Sequence, residues 1–342
     1  MNFIEIDGSH GEGGGQMIRT AIALSAITGK PTKLINIRAK RCNPGLSAQH
    51  LKGILACAEI CDAKTTGTEI GSSKVTFSPG KISSGIFKIN IGTAGSTALI
   101  LQTLIPVAIH APGLIEFQIT GGTNVRWSMD FEYMQHIFGH YMKEIGIDYH
   151  ISIEKRGFYP KGGGKIIVKI SPGHSKELDL TKRGTLQQID VHAIAESRLE
   201  SKKVAQRELK GFSSILTPNR EFIGYHKADS IGTSMHAHAH FENCKLGSSV
   251  IGEKNISAEQ VGKNCATQLK KQIDSGACID EWMADQILPY MAFAGLGKIH
   301  VADITPHTIT NIHVIEKFLP VKFSINEEKN IISVKSLQQS SQ

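Results

Sequence analysis

The sequence predicts an α/β protein of three repeated units, each with two helices on one face of a four-stranded sheet, and a smaller α/β domain inserted before the third unit. Two observations lead there. Helical apolar spacing followed by period-two strands recurs along the chain, and twice the last strand ends in Ser-Pro-Gly, at Ser78-Pro79-Gly80 and at Ser171-Pro172-Gly173. Between the second and third occurrences the pattern stops and a different set of strands and helices intervenes. The 342 residues are 40% apolar and 20% charged, which permits a large core and excludes a disordered chain.

The elements follow in order. The first unit has a glycine-led helix, Gly13–Leu24, a second helix, Ala48–Cys61, and strands ending at Lys74–Gly80. The second unit repeats this with Gly92–Gln102, Phe131–Ile145 and strands ending at Ile167–Gly173. A third, shorter version has Met283–Ala292 without leading glycines, a helix from Asn311 through Phe318, and alternating strands Val321–Ile325 and Ile331–Val334. Residues 182–275 break the repeat and carry strands Gln188–Ala195 and Met235–Phe241 and helices Lys202–Ser213 and Ala258–Gln272. The expected division is a large repeat domain of residues 1–181 and 276–342 with residues 182–275 inserted.

A net charge of +7 favours an anionic partner such as nucleic acid, nucleotide or phosphate, while only 6% aromatic residues argue against an extensive base-stacking platform. The six cysteines form no C-x-x-C pair, and Cys57 and Cys61 sit at the spacing of two buried small hydrophobes. Reduced thiols and no basic-then-apolar leader predict a cytoplasmic protein. Ile89–Ile115 lacks Asp, Glu, Lys and Arg but is punctuated by Gly92, Gly95, Pro106 and Pro112, so it predicts a buried helix rather than the ~20-residue apolar run of a membrane span.

The densest motif is Asp7-Gly8-Ser9-His10-Gly11-Glu12-Gly13-Gly14-Gly15-Gln16-Met17-Ile18-Arg19. Its glycines allow close backbone approach, the following helix offers free amides to an anion, Glu12 is a hard oxygen donor for Mg²⁺ or Mn²⁺, and Arg19 can fork onto a phosphate. It is neither a Walker A loop nor a G-x-G-x-x-G fingerprint, because Gln16 replaces the last glycine. A second, basic cluster runs from Arg38 to His50 through Arg41, Pro44, Gly45 and Gln49; a strand carrying Arg38 into such a loop suits an RNA or nucleotide phosphate, or is simply a solvated charge run. The third, Arg156-Gly157-Phe158-Tyr159-Pro160-Lys161-Gly162-Gly163-Gly164-Lys165-Ile166, could cradle phosphate or mark close backbone contact inside a sheet. His236, His238 and His240 share one strand face and could chelate zinc, but they are expected to face solvent, since no Cys or carboxylate stands nearby at a ligand spacing. His307 follows Pro306 at a strand-to-helix junction, and spacing alone gives it no role.

In their order along essentially the whole chain, these motifs resemble the RNA 3′-terminal phosphate cyclase family. The resemblance rests on Asp7–Arg19, Pro44-Gly45 with Gln49-His50, Gly121-Gly122-Thr123, Ala284-Asp285-Gln286 and Asn311 through Val321. Its hallmark is the run from Arg156 to Ile166. It implies an ATP-dependent conversion of an RNA 3′-phosphate to a 2′,3′-cyclic phosphate. It places the adenylylated histidine at His307 and the ligand of the divalent cation, Mg²⁺ or Mn²⁺, at Glu12. ATP contacts fall on Gln16, Arg19, Gln102, Trp282, Met283, Ala284, Asp285 and Gln286, and RNA phosphate contacts on Arg38, Arg41, Gln49 and His50. The partner implied is an RNA with a 3′-terminal phosphate, with no membrane, and with monomer and homodimer both open. The alternative is a cyclase-like ribosome-biogenesis factor that forms no adenylylated histidine; His307, Glu12 and Arg19 favour the enzyme. Enolpyruvyl transferases share the repeated unit but lack the triple-glycine hallmark. One segment departs from the family: after Gly121-Gly122-Thr123 a Ser-Pro-Pro-like stretch is expected, and here Asn124-Val125-Arg126-Trp127-Ser128-Met129-Asp130 stands instead. Arg126 and Trp127 could replace the lost contacts by pairing with phosphate and stacking on a base.

Overall fold

The computed structural model describes residues 2–11 and 13–337. The first unit comprises β1 (Ile4–Asp7), α1 (Gly15–Thr28), β2 (Thr32–Ile35), α2 (Ala48–Ile60), β3 (Lys64–Thr66) and β4 (Val75–Ser78). The second comprises β5 (Gly85–Asn90), α3 (Thr97–Ala108), β6 (Ile115–Gly121), a helix divided into α4 (Phe131–Tyr133) and α5 (Gly139–Glu144), β7 (Tyr149–Lys155) and β8 (Gly164–Ile170). A π-helical turn, Met134–Phe138, joins α4 to α5. The third unit begins with β9 (Leu178–Leu180). The chain then leaves to form β10 (Leu186–Glu196), α6 (Val204–Ser213), β11 (Arg220–His226), β12 (Thr233–Phe241), β13 (Lys245–Ile251) and α7 (Ala258–Asp274). It returns for α8 (Met283–Ala294), β14 (Leu296–His300), α9 (Pro306–Phe318), β15 (Val321–Asn326) and β16 (Ile331–Ser336).

The repeat is topological. Its sheets run β1-β2-β4-β3, β5-β6-β8-β7 and β9-β14-β16-β15, each opening with one parallel pair and continuing antiparallel. The third unit is therefore complete rather than short. Its first strand is only three residues long and the insert separates it from its partner, so no local period marks it. The alternation in β6 shows why these strands form: Ile115, Phe117 and Ile119 are buried on one face while Glu116 and Gln118 point outward. The apolar faces of the sheets are covered by helices that also pack on one another, with α1 against α2, α3 and α9. α1 stops where Gly29 adopts φ 69°, a left-handed cap that other residues adopt only with strain. Among the described residues, no helix is long and apolar enough to cross a membrane.

Two local expectations are corrected. Arg38 is not on a strand: β2 ends at Ile35, and Asn36 and Arg38 both take positive φ, 51° and 52°, in the turn that follows. The alternation of Ile35 and Ile37 continues past the last ladder bond and mimics a longer strand. The histidines of β12 do not face solvent either. His236 and His238 are each 1% exposed, because the π-helical turn lies over their face of the sheet β11-β10-β12-β13. On the opposite face Val191, Ala193, Met235, Ala237 and Ala239 are buried under α6 and α7. β11 and β13, which also escaped the sequence pattern, are the outer strands of this sheet.

Candidate active site

Glycines bring helix ends close together. A Cβ on Gly15 would collide with the His50 ring, and a Cβ on Gly14 would lie 3.2 Å from Arg41 Nη2 and 3.7 Å from His307 Cε1. The glycine run thus lets the start of α1 approach both the basic turn after β2 and the start of α9.

His307 stands in the first turn of α9, behind Pro306, whose missing N–H costs nothing at a helix start. Thr305 caps the helix, its hydroxyl oxygen accepting from the Thr308 N–H at 3.2 Å. His307 Nδ1 lies 2.8 Å from Gln16 Oε1. The Gln16 amide nitrogen donates to the Asp285 carboxylate. That orients the amide, so its oxygen must accept the His307 proton. Nδ1 therefore carries a hydrogen, and Nε2 is the ring nitrogen directed away from Gln16. Asp285 is fixed in turn: the Asn311 side-chain amide donates to its backbone oxygen at 2.6 Å, and the Thr20 hydroxyl donates to Asn311 Oδ1 at 2.7 Å. Side chains of α1, α8 and α9, far apart in sequence, close one network.

Charge is set by burial and neighbours. Arg19 donates through Nε to Gln102 Oε1 at 2.9 Å. Desolvation lowers its pKa to about 10 while Asp285 opposes the shift, so it stays cationic at neutral pH. Burial raises Asp285 to about 7 against the pull of Arg19. Gln16, Arg19, Gln102, Asp285 and Gln286 line one crevice. There the Gln286 side-chain nitrogen donates to the Trp282 carbonyl at 2.7 Å, while its buried Oε1 has no hydrogen-bond partner among the described residues. Met283 and Ala284 are fully buried in α8, so their side chains pack and only their backbone can meet a ligand.

The residues assigned to RNA phosphate divide. Arg38 donates to the Gly45 carbonyl at 2.9 Å, and its pKa is lowered by burial and then by Arg41. Gln49 accepts from the Ser96 N–H at 2.9 Å, which ties α2 to the cap of α3. His50 is buried and neutral, lowered to about 3 by desolvation with Arg19 and Arg38 adding to it, and its Nδ1 pairs with Ser47 Oγ at 2.9 Å. It can meet a phosphate only as a neutral group. Glu12 lies outside the described residues.

A cleft of about 1250 Å³ opens beside Gln49, bordered by Trp127, Tyr159 and Arg207. Trp127 is 88% exposed, with the Arg126 guanidinium 4.7 Å from its ring centre. Arg126 is held by Glu253 at 3.0 Å. The hallmark run builds the base of this region. Gly157 and Gly164 cross so closely that a Cβ on either would meet the other's backbone, and Arg156 pairs with Glu132 at 2.5 Å in the interior. Glu132 Oε2 accepts from Asn124, which also donates to Ser234 Oγ on β12.

Sequence reasoning missed Thr20 and the buried group Asp280. Asp280 Oδ1 accepts from Tyr133 Oη at 2.6 Å and from the N–H groups of Trp282 and Met283, and Oδ2 accepts from the Gly247 N–H at 2.9 Å. Its signal was an acidic residue just ahead of the α8 apolar pattern, the position of a helix start.

A family model described as RNA 3′-terminal phosphate cyclase matches residues 10–325. Among curated relatives, the RNA 3′-terminal phosphate cyclase of Methanopyrus kandleri is 41% identical over 339 residues, covering 95% of this chain and 96% of that protein. The protein of that name from Pyrococcus furiosus is 42% identical over 329 residues, covering 94% and 95%. That from Methanosarcina barkeri is 39% identical over 337 residues, covering 97% and 99%.

Proposed function

Given that the chain belongs to the RNA 3′-terminal phosphate cyclase family and is an enzyme, we propose that it uses ATP to convert an RNA 3′-phosphate to a 2′,3′-cyclic phosphate, with His307 carrying AMP between the two. The observation that supports this most is the chain from Asp285 through Gln16 to His307 Nδ1, which orients the ring so that Nε2 is the nitrogen left to attack phosphorus. Nε2 attacks the α-phosphorus of ATP, an N–P bond forms, and the bond to pyrophosphate breaks. The RNA 3′-phosphate oxygen then takes the AMP from His307. In the resulting anhydride the neighbouring 2′-hydroxyl attacks the 3′-phosphorus, loses its proton, and AMP leaves. Ring closure is intramolecular, so positioning contributes much of the rate. A binding factor with no adenylylated histidine would have no use for so directed a tautomer.

Arg19 meets the triphosphate, and the unpartnered Gln286 oxygen supplies an acceptor for the nucleotide. Glu12, a hard oxygen donor, would hold Mg²⁺ or Mn²⁺, which would supply charge neutralisation for the phosphates. The RNA end enters by the cleft beside Gln49, with Trp127 available to stack on a base. Residues 182–275 form an inserted domain that walls this cleft.

Gln16→Ala removes the group that fixes the His307 tautomer but leaves the nucleophile. Self-adenylylation should slow by about 10–100-fold, the usual cost of losing a partner that orients an imidazole, with ATP affinity changed much less. A wild-type rate measured by single-turnover labelling would remove Gln16 from the mechanism.

Arg38→Ala should separate the two steps. A charge-assisted pair with phosphate is worth ~1.5–3 kcal/mol, so transfer to a 3′-phosphorylated oligonucleotide should fall by about one to two orders of magnitude. Adduct formation without RNA should fall much less. Equal losses in both steps would place Arg38 at ATP.

A further inference from the structure

We propose that the inserted sheet carries a transition-metal site, suited to Zn²⁺, formed by Asp190 and the imidazoles of His238 and His240, separate from the His307 site. Asp190 on β10 pairs directly with His238 on β12, and His240 follows two residues later on the same face. Their donor atoms converge: Asp190 Oδ2 lies 3.7 Å from His238 Nε2 and 3.2 Å from His240 Nε2. Tetrahedral zinc with ~2.0–2.1 Å bonds places its ligands ~3.3 Å apart, so the set closes on an ion with small side-chain movements. Two imidazoles and one carboxylate leave a fourth position for water, and the half-buried His240 gives a way in.

The surrounding hydrogen bonds prepare the ligands. Gln188 donates to Asp190 Oδ1 at 2.5 Å, which leaves Oδ2 directed at the imidazoles. His238 Nδ1 lies 3.1 Å from His236 Nε2, His236 Nδ1 lies 2.9 Å from Ser249 Oγ, and that hydroxyl donates to the buried Asp130 at 3.0 Å. Read toward Asp130, every link is satisfied by one assignment: His238 donates to His236, His236 to Ser249, and Ser249 to the carboxylate. In that assignment Nε2 of His238 holds a lone pair, as a metal ligand must. His136, from the π-helical turn, and His192 stack beside His238 and form a second candidate set that shares it. π-turns recur at functional sites. Lys245, opposite His240 on β13, is the cation an entering ion must face.

The test uses the full chain stripped by chelator, dialysed against Zn²⁺ and assayed for bound metal, with Co²⁺ as a visible-spectrum probe. About one ion per chain and a tetrahedral Co²⁺ spectrum are expected. His240→Ala, at a partly exposed position that should not disturb folding, should weaken binding by at least the ~10–100-fold that losing even an indirect partner costs, and Ser249→Ala, which leaves every ligand in place, by about 10–100-fold. His307→Ala should bind Zn²⁺ as wild type does, so the result is independent of cyclisation. Absence of stoichiometric metal, or binding undiminished in His240→Ala, would overturn the proposal. Loss in His136→Ala with none in His240→Ala would likewise overturn it and move the ion to the other set.

Discussion

In His307→Ala, covalent labelling by ATP falls to background and RNA cyclisation drops by roughly 10⁴-fold or more, the scale on which removing a nucleophile acts. The fold should persist. His307 is exposed in the first turn of α9, and the helix start is held by Thr305 and Pro306 rather than by the imidazole. Removing the ring leaves Gln16 tied to Asp285. Circular dichroism and a melting curve close to wild type would accompany the lost activity. A His307→Ala protein that still took up stoichiometric label would place the nucleophile elsewhere.

The largest effect on stability should come from Asp280→Ala. The carboxylate is fully buried and gathers four donors: the Tyr133 hydroxyl from the second unit, the Gly247 N–H from the inserted sheet, and two N–H groups at the start of α8. Losing it leaves all four without an acceptor, a cost of roughly 3–5 kcal/mol in total. That corresponds to a melting temperature lower by roughly 5–15 °C. Adenylylation should weaken as well, because α8 carries Asp285 and Gln286. The carboxyl also has a pH signature. Burial raises it to about 6 in the folded protein, above its ordinary value, so folding takes up a proton between these limits. Its contribution to stability is therefore full at low pH and is lost as pH rises through about 6. Asp280→Asn should flatten the pH dependence of stability in that window, and an unchanged profile would show that Asp280 does not titrate there.

Much of the architecture was legible because each unit buries its own apolar faces and prints that in its period. What escaped was set by distant partners. β9 is a three-residue strand whose neighbour, β14, lies beyond the insert. The histidines of β12 alternate like a surface face, and only the π-helical turn packed over them makes that face interior. Asp190 stands far from His238 and His240 in sequence, so no ligand spacing appears along the chain, although the strands pair them directly. The site divides in the same way. The glycine run and Arg19 suggested an anion site through local chemistry, whereas His307 was marked only by the family resemblance. Gln16 and His307 are separated by nearly the whole chain, so the hydrogen bond that orients that imidazole is a property of the packed helices.

The most direct test follows the α-phosphate. The full chain, incubated with Mg²⁺ and ATP labelled at the α-phosphorus, is digested and the labelled peptide sequenced. A 3′-phosphorylated oligoribonucleotide is then added to undigested adduct. The label should sit on the peptide containing His307, and RNA should discharge it as AMP at the rate at which the 2′,3′-cyclic end appears. Label on another residue, or cyclic ends formed while the His307 adduct remains on the protein, would contradict histidine-carried AMP as the route to the cyclic phosphate.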